Sequence, residues 1–207
     1  CTHTMQWVLD TICDTIEEVV DIFEKDNLRM RYGIVEFRDR MYDKPEDFAL
    51  KLHQFGDSSF TEDIEMLKKS LLKLKAEGGG PLKESVFDAI KCAIKNADWR
   101  DDILKIVVLI TDAEPRTPDL EVKSWKECME ILEHEEIDLH LVVTQEHNKK
   151  YKKLKFIDSE ETRVLLYTLG EGEAHKNQLK ENLRGVGYSS GQKIAKRNAA
   201  KGFQGVY

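Results

Sequence analysis

Apolar residues recur along this chain with two periods, and the alternation between those periods sets the expected architecture. Met5, Val8, Leu9, Ile12, Ile16, Val19, Val20 and Phe23 fall three or four apart. That spacing keeps one helix face apolar and predicts an amphipathic helix from Met5 to about Lys25. RMRYGIVEFRD (29–39) alternates well enough for a strand, FALKLHQF (48–55) reads as another, and RMYDKPED between them supplies a hairpin turn. Thr61, with Glu62 and Asp63 behind it, predicts a helix start; Ile64, Leu67, Leu71, Leu72 and Leu74 form its inner face, and Gly78-Gly79-Gly80-Pro81 ends it. Val86, Phe87, Ala89, Ile90, Ala93 and Ile94 make the next helical stripe. The almost unbroken apolar run Ile103 to Ile110 then reads as a central parallel strand covered on both faces. Asp119 is expected to open a helix through about Glu136, followed by a strand at IDLHLVV (137–143), a last strand at RVLLYTLG (163–170) and a helix from Ala174 to about Arg184.

Helices alternating with apolar strands at this spacing imply an α/β fold, a doubly wound, mostly parallel sheet with helices on both faces. Such a sheet normally begins with a central strand, whereas this chain opens on a helix, so the first strand is expected upstream of Cys1. The expected organisation is one domain over 1–184 and a basic tail over 185–207. The tail has weak periodicity and many small residues, and is expected to be irregular.

Composition narrows the function classes. With 34% charged and 41% hydrophobic residues the chain reads as soluble and globular, and its net charge of −7 argues against broad phosphate-backbone binding. From Gly185 onward the charged residues are Lys193, Lys196, Arg197 and Lys201, with no acid, so the tail is suited to dock on an acidic neighbour, including another copy of the chain. Cys1, Cys13, Cys92 and Cys128 show no CxxC spacing and read as isolated thiols of a reducing, cytoplasmic setting. No apolar run is long enough to span a membrane and no signal peptide is visible. The six histidines lack ligand spacing, and the basic run HNKKYKKLK (147–155) reads as a solvated helix face. GGGP is not followed by the Lys-Ser/Thr of a phosphate-binding loop, so nucleotide binding is not expected.

The chemistry gathers at three loops. In LITDAEP (109–115) an apolar strand runs straight into Asp112, with Glu114 two residues on and Pro115 to stop the strand. Ligands of open α/β sheets bind at strand carboxyl ends. CTHTMQW (1–7) opens the first helix, and EGGGPLKES (77–85) opens another.

Together the three loops resemble the von Willebrand factor type A family and its metal-ion-dependent adhesion site. Thr2 and Thr4 match the two hydroxyl positions of the family's first motif, whose initial Asp would precede Cys1. Gly78, Gly79 and Gly80 match the second motif, but Pro81 stands where a Thr or Asp ligand is expected; Thr111 and Asp112 match the third. ITDAEP and VEFRD are similar to forms found in intracellular members linked to kinases and stress systems.

The resemblance implies a Mg²⁺ or Mn²⁺ ion held by Thr2, Thr4 and Asp112, with Glu84, Ser85, Glu114 and His3 as surrounding or substitute groups. It implies a partner protein that offers an acidic side chain. Mg²⁺ wants about six oxygens and keeps several waters, so a loose set of hydroxyls and carboxylates can hold it and leave a position open. The implied role is non-enzymatic recognition. Two other readings stand beside it: a metal-free scaffold whose site has degenerated at Pro81, and a phosphotransfer or hydrolase domain using Asp112. Taken singly, Thr2 and Thr4 also suit helix capping, and Asp112 a turn before Pro115.

Overall fold

The computed structural model describes residues 5–25, 29–44, 49–77, 83–101, 103–156, 162–169 and 174–200. Helix α1 (Gln6–Lys25) forms where the first stripe predicts it, burying Val8, Leu9, Val19, Val20 and Phe23. Strands β1 (Val35–Phe37) and β2 (Leu50–Leu52) pair antiparallel, Val35 opposite Leu52, as the hairpin reading expects. Both are shorter than the patterns that announce them, and Tyr32 instead makes an isolated bridge to Thr61.

Helix α2 (Ile64–Leu71) is capped by Asp63, which accepts a hydrogen bond from the Met66 N–H, two residues later than the expected start at Thr61. Thr61 accepts from the Asp63 N–H and so builds the turn before the cap. The helix stops at Leu71, and Leu72, expected on the inner face, is 71% exposed.

Strand β3 (Lys83–Glu84) leads through Ser85 into α3 (Val86–Lys95), and β4 (Lys105–Thr111) and β5 (Glu114–Pro115) follow. Helix α4 runs Trp125–His134 from a Ser124 cap, so Asp119 does not open a helix. Asp119 accepts a hydrogen bond from the Ser85 hydroxyl, while Asp88 accepts the backbone N–H groups of Glu121 and Val122 and fixes that stretch as a loop. Strand β6 (Ile137–Thr144), α5 (Gln145–Tyr151), a 3₁₀ turn (Lys152–Phe156), β7 (Arg163–Leu169) and α6 (Ala174–Ala200) complete the described chain.

The fold is the expected α/β, Rossmann-like arrangement. β4, β6 and β7 form a parallel sheet in that order, β3 pairs parallel with β5, and β1–β2 is the antiparallel member. Successive residues of β6 point to opposite faces. Leu139, Leu141 and Val143 pack with Phe87, Ile90 and Leu132 from α3 and α4. Val142 packs with Val8, Leu9, Leu179 and Leu183 from α1 and α6.

Two expectations fail here. β4 is not covered like a central strand: β6 is buried over Ile137–Val143, whereas Val108 in the middle of β4 is 40% exposed. Among the described residues β4 hydrogen-bonds to β6 on one edge and to no strand on the other.

Nor is the stretch beyond Arg184 irregular, since α6 continues to Ala200. Its second half is held by small residues and buried polar groups, which carry no apolar stripe. A Cβ on Gly187 would lie 3.3 Å from Ile22 Cγ2, so α1 and α6 approach closely there. Asp138 beneath it is fully buried, accepts from Arg163 Nε at 2.9 Å and lies 3.5 Å from Lys193 Nζ. His140 is a buried structural histidine, its Nδ1 3.1 Å from the Tyr167 hydroxyl.

Candidate functional site

The ends of β1 and β3 meet β5, just beyond the end of β4, because short backbone bonds tie them. The Ser85 N–H donates to the Arg38 carbonyl at 3.1 Å, and the Arg116 N–H to the Glu84 carbonyl at 2.8 Å. β3 and β5 pair in register, Lys83 with Glu114 and Glu84 with Pro115. The loop after β4 is shaped locally: Thr111 Oγ1 accepts from the Ala113 N–H at 3.1 Å, and the buried Tyr151 hydroxyl donates to the Ala113 carbonyl at 2.9 Å. Asp112 therefore sits in a turn held from both sides.

Around it the charges are arranged in pairs. Asp39, 0% exposed, accepts from Arg116 Nε at 2.8 Å, from a second N–H of the same guanidinium, and from the Met41 N–H at 3.0 Å. Arg38 donates to Glu36 at 2.6 Å and to the carbonyls of Glu77 and Lys75, which anchors the entry to the glycine loop. Glu114 is ion-paired with Lys150, which holds its carboxyl below the usual range, and His147 Nδ1 lies 3.8 Å away. The Ser85 hydroxyl donates to Asp119 at 2.8 Å and accepts from the Arg40 N–H at 3.0 Å. It thus serves as a tie between loops, with its hydrogen already committed.

Glu84 is different. It is 3% exposed, and its Oε1 is buried with no hydrogen-bond partner among the described residues. Burial, with the negative charges of Asp112 and Asp39 adding to it, pushes its carboxyl up to about 7, while Arg38 pulls the other way. A buried acceptor left unmet is costly, and two carboxylates in one low-dielectric corner repel. A divalent cation would relieve both, so Glu84 and Asp112 fit the metal that the motifs imply. The described residues do not assemble it alone: among them no cluster of three or more His, Cys, Asp or Glu side chains is placed to hold a metal ion. Thr2, His3, Thr4 and Pro81 lie outside the described residues.

The sequence motifs lead to Asp112, Glu84 and Glu114, and the structure brings these three to one edge. They do not lead to Asp39, Arg38, Arg116 and Tyr151, which shape that edge. VEFRD carries the one available signal, two charges directly after an apolar strand. Tyr151 gives none, since its place under the loop depends on α5 folding back.

The model of the von Willebrand factor A domain matches residues 2–169, which spans all three loops and β1 through β7. No curated protein matches the chain. With the fold, the site geometry and a match over most of its length in agreement, the chain belongs to the von Willebrand factor A domain family.

Proposed function

We propose that this domain is a protein-interaction module whose recognition surface is the edge formed by Asp112, Glu84 and the loops beside them. A Mg²⁺ or Mn²⁺ ion would be held by Asp112 and Glu84 with the hydroxyls of Thr2 and Thr4. Its role is to supply an open coordination position for an acidic side chain of a partner protein. The chain's own residues do the rest. Tyr151 and Thr111 fix the Asp112 turn, the Asp39–Arg116 pair joins the β1 and β5 ends, and Lys150 keeps Glu114 from competing for the ion. The observation that carries this reading is the buried, unpartnered Glu84 oxygen beside Asp112. The likeness of ITDAEP and VEFRD to intracellular, kinase- and stress-linked members favours a cytoplasmic setting. No helix among the described residues is long and apolar enough to cross a membrane.

The test is calorimetric titration of Mg²⁺ and Mn²⁺ into chelator-treated protein, with Asp112→Ala and Glu84→Gln as variants. Binding that both variants weaken at least about tenfold, or about 1.4 kcal/mol, supports the site. A second reading rests on Pro81, which lacks a side-chain oxygen where the family places a ligand. In that reading the domain is a metal-free scaffold that binds partners or itself through its surface. A titration without heat, from protein whose circular dichroism is intact, selects it.

A further inference from the structure

The basic run after β6 is a solvated face by composition, but the structure seats it against the site. KKYKKLK (149–155) repeats every three residues. Side chains three apart are neighbours on an α-helix and eclipse on a 3₁₀ turn, so α5 and the turn that follows it sort this run into three rows. Tyr151 and Leu154, both fully buried, form the inner row, and the Tyr151 hydroxyl donates to the Ala113 carbonyl at 2.9 Å. Lys150 and Lys153 form the second row. Lys150 pairs with Glu114, and Lys153 Nζ lies 5.2 Å from the centre of the Trp125 ring. Lys149, Lys152 and Lys155 form the outer row; all three are exposed, and among the described residues none has a carboxylate partner.

The inner rows fix where the outer one stands. Tyr151 is pinned under the turn that holds Asp112, and Lys150 reaches the next acid of the same loop, so the outer lysines stand beside the proposed metal edge. At 1.5 Å per residue in the helix and 2.0 Å in the turn, Lys149 to Lys155 extends about 10 Å. Side chains on one face of an extended peptide recur about every 7 Å, so the row is long enough for about two of them. Charge gives the row a task. The chain is −7 overall and its site is acidic, so an acidic partner is repelled except where cations face it. One divalent ion offsets Asp112 and Glu84 and leaves further acids of the partner to the lysines.

We propose that Lys149, Lys152 and Lys155 are a docking row for an acidic segment of the partner protein, in which the coordinating acid is accompanied by further Asp or Glu at alternate positions. The inference rests on the metal reading above and narrows its partner from a single acid to an acidic run. A nucleic acid fits the row less well. It offers no exposed aromatic on which a base could stack, since Tyr151 is buried and Trp125 is half-buried beneath Lys153. Beyond the row, the negative body of the protein repels a phosphate backbone.

The experiment is fluorescence anisotropy with three labelled peptides: Gly-Asp-Gly-Glu-Gly-Glu-Gly, the same sequence reversed, and Gly-Asp-Gly-Ser-Gly-Ser-Gly. Each is titrated with the chain in Mn²⁺ and again in chelator. Four proteins are compared. They are the parent, a variant with Lys149→Gln, Lys152→Gln and Lys155→Gln, a variant with the same three lysines changed to Glu, and a control with Lys25→Glu, Arg29→Glu and Arg100→Glu. The control makes the same charge change as the Glu variant at the far end of the sheet, where Arg29 and Arg100 both reach Glu62 before β4 begins.

Exposed ion pairs are individually weak, so the expected gain of the better Glu peptide over the Ser peptide in Mn²⁺ is about tenfold. That gain should fall below about twofold in both row variants, persist in the far-end control, and leave Mn²⁺ affinity unchanged throughout. Mn²⁺-dependent binding without the gain, or a gain that the row variants keep, overturns the proposal and spares the metal reading. Loss of the gain in the far-end control as well assigns it to overall charge and also overturns the proposal, as does the absence of binding by any peptide. A row-dependent gain that survives chelation sinks the metal reading and leaves the row standing. A single-stranded oligonucleotide that binds the row more tightly than the Glu peptides would assign it to phosphate and refute the acidic partner.

Discussion

The buried pair beneath the site makes a prediction in which two substitutions of one interaction differ in cost. Asp39 is 0% exposed while Arg116 is 25% exposed, so only the arginine reaches water if its partner is lost. Arg116→Met strands a buried carboxylate that keeps just the Met41 N–H at 3.0 Å, and removing one member of a buried pair costs about 3–5 kcal/mol. Asp39→Asn keeps an acceptor for Met41 and leaves a guanidinium that can turn outward, so the loss is that of charged hydrogen bonds, about 1–3 kcal/mol. Adding Asp39→Asn to Arg116→Met removes the stranded charge, so the double variant should be more stable than Arg116→Met alone by at least about 1 kcal/mol. Urea unfolding of the four proteins, with the slope held equal, measures this. Additive losses, or an Asp39→Asn cost equal to that of Arg116→Met, would show that desolvation of Asp39 does not govern this corner.

Metal-free protein should lose stability as pH rises from 5 to 8. The Glu84 carboxyl is raised from 4.5 to about 7, so the fold favours its protonated form. That contribution is complete below 4.5 and gone above 7, a change of about 3 kcal/mol at 1.36 kcal/mol per unit. Asp119, raised to about 6 by burial and Asp88, acts in the same direction, so the difference between the parent and Glu84→Gln isolates Glu84; parallel pH profiles would refute its role. Tyr151→Phe removes the hydrogen bond to the Ala113 carbonyl and should cost about 1 kcal/mol while weakening Mn²⁺ binding, which a titration against the parent checks. Gly187→Leu should lower stability by about 1–3 kcal/mol through overpacking against Ile22, whereas Gly187→Ala should be close to neutral, its helix propensity offsetting the 3.3 Å contact; thermal melts distinguish the two.

The parts of this molecule legible in the sequence are those whose physics is local. The stripe from Val8 to Phe23 specifies α1 because its apolar positions share a face whatever lies opposite, and the run ending at Thr111 specifies a strand with a carboxylate at its end. The Asp112 turn could be found because an apolar strand running into a carboxylate is a local signal, and the second motif leads independently to Glu84, whose strand pairs with Glu114–Pro115. What escaped depends on partners distant in sequence. Asp119 looks like a helix cap until Ser85, 34 positions earlier, presents a hydroxyl to it. The second half of α6 looks irregular because Gly185, Gly187 and Ser190 hold it by closeness to Tyr167, Ile22 and His140.

β4 is the most instructive case, because its composition describes an environment that the described chain does not complete. Ile106, Val107, Val108, Leu109 and Ile110 have the composition of a strand covered on both faces, yet among the described residues β4 pairs with β6 alone and Val108 is 40% exposed. A strand's composition thus records the surroundings it suits, and β4 departs from them where Val108 lies uncovered.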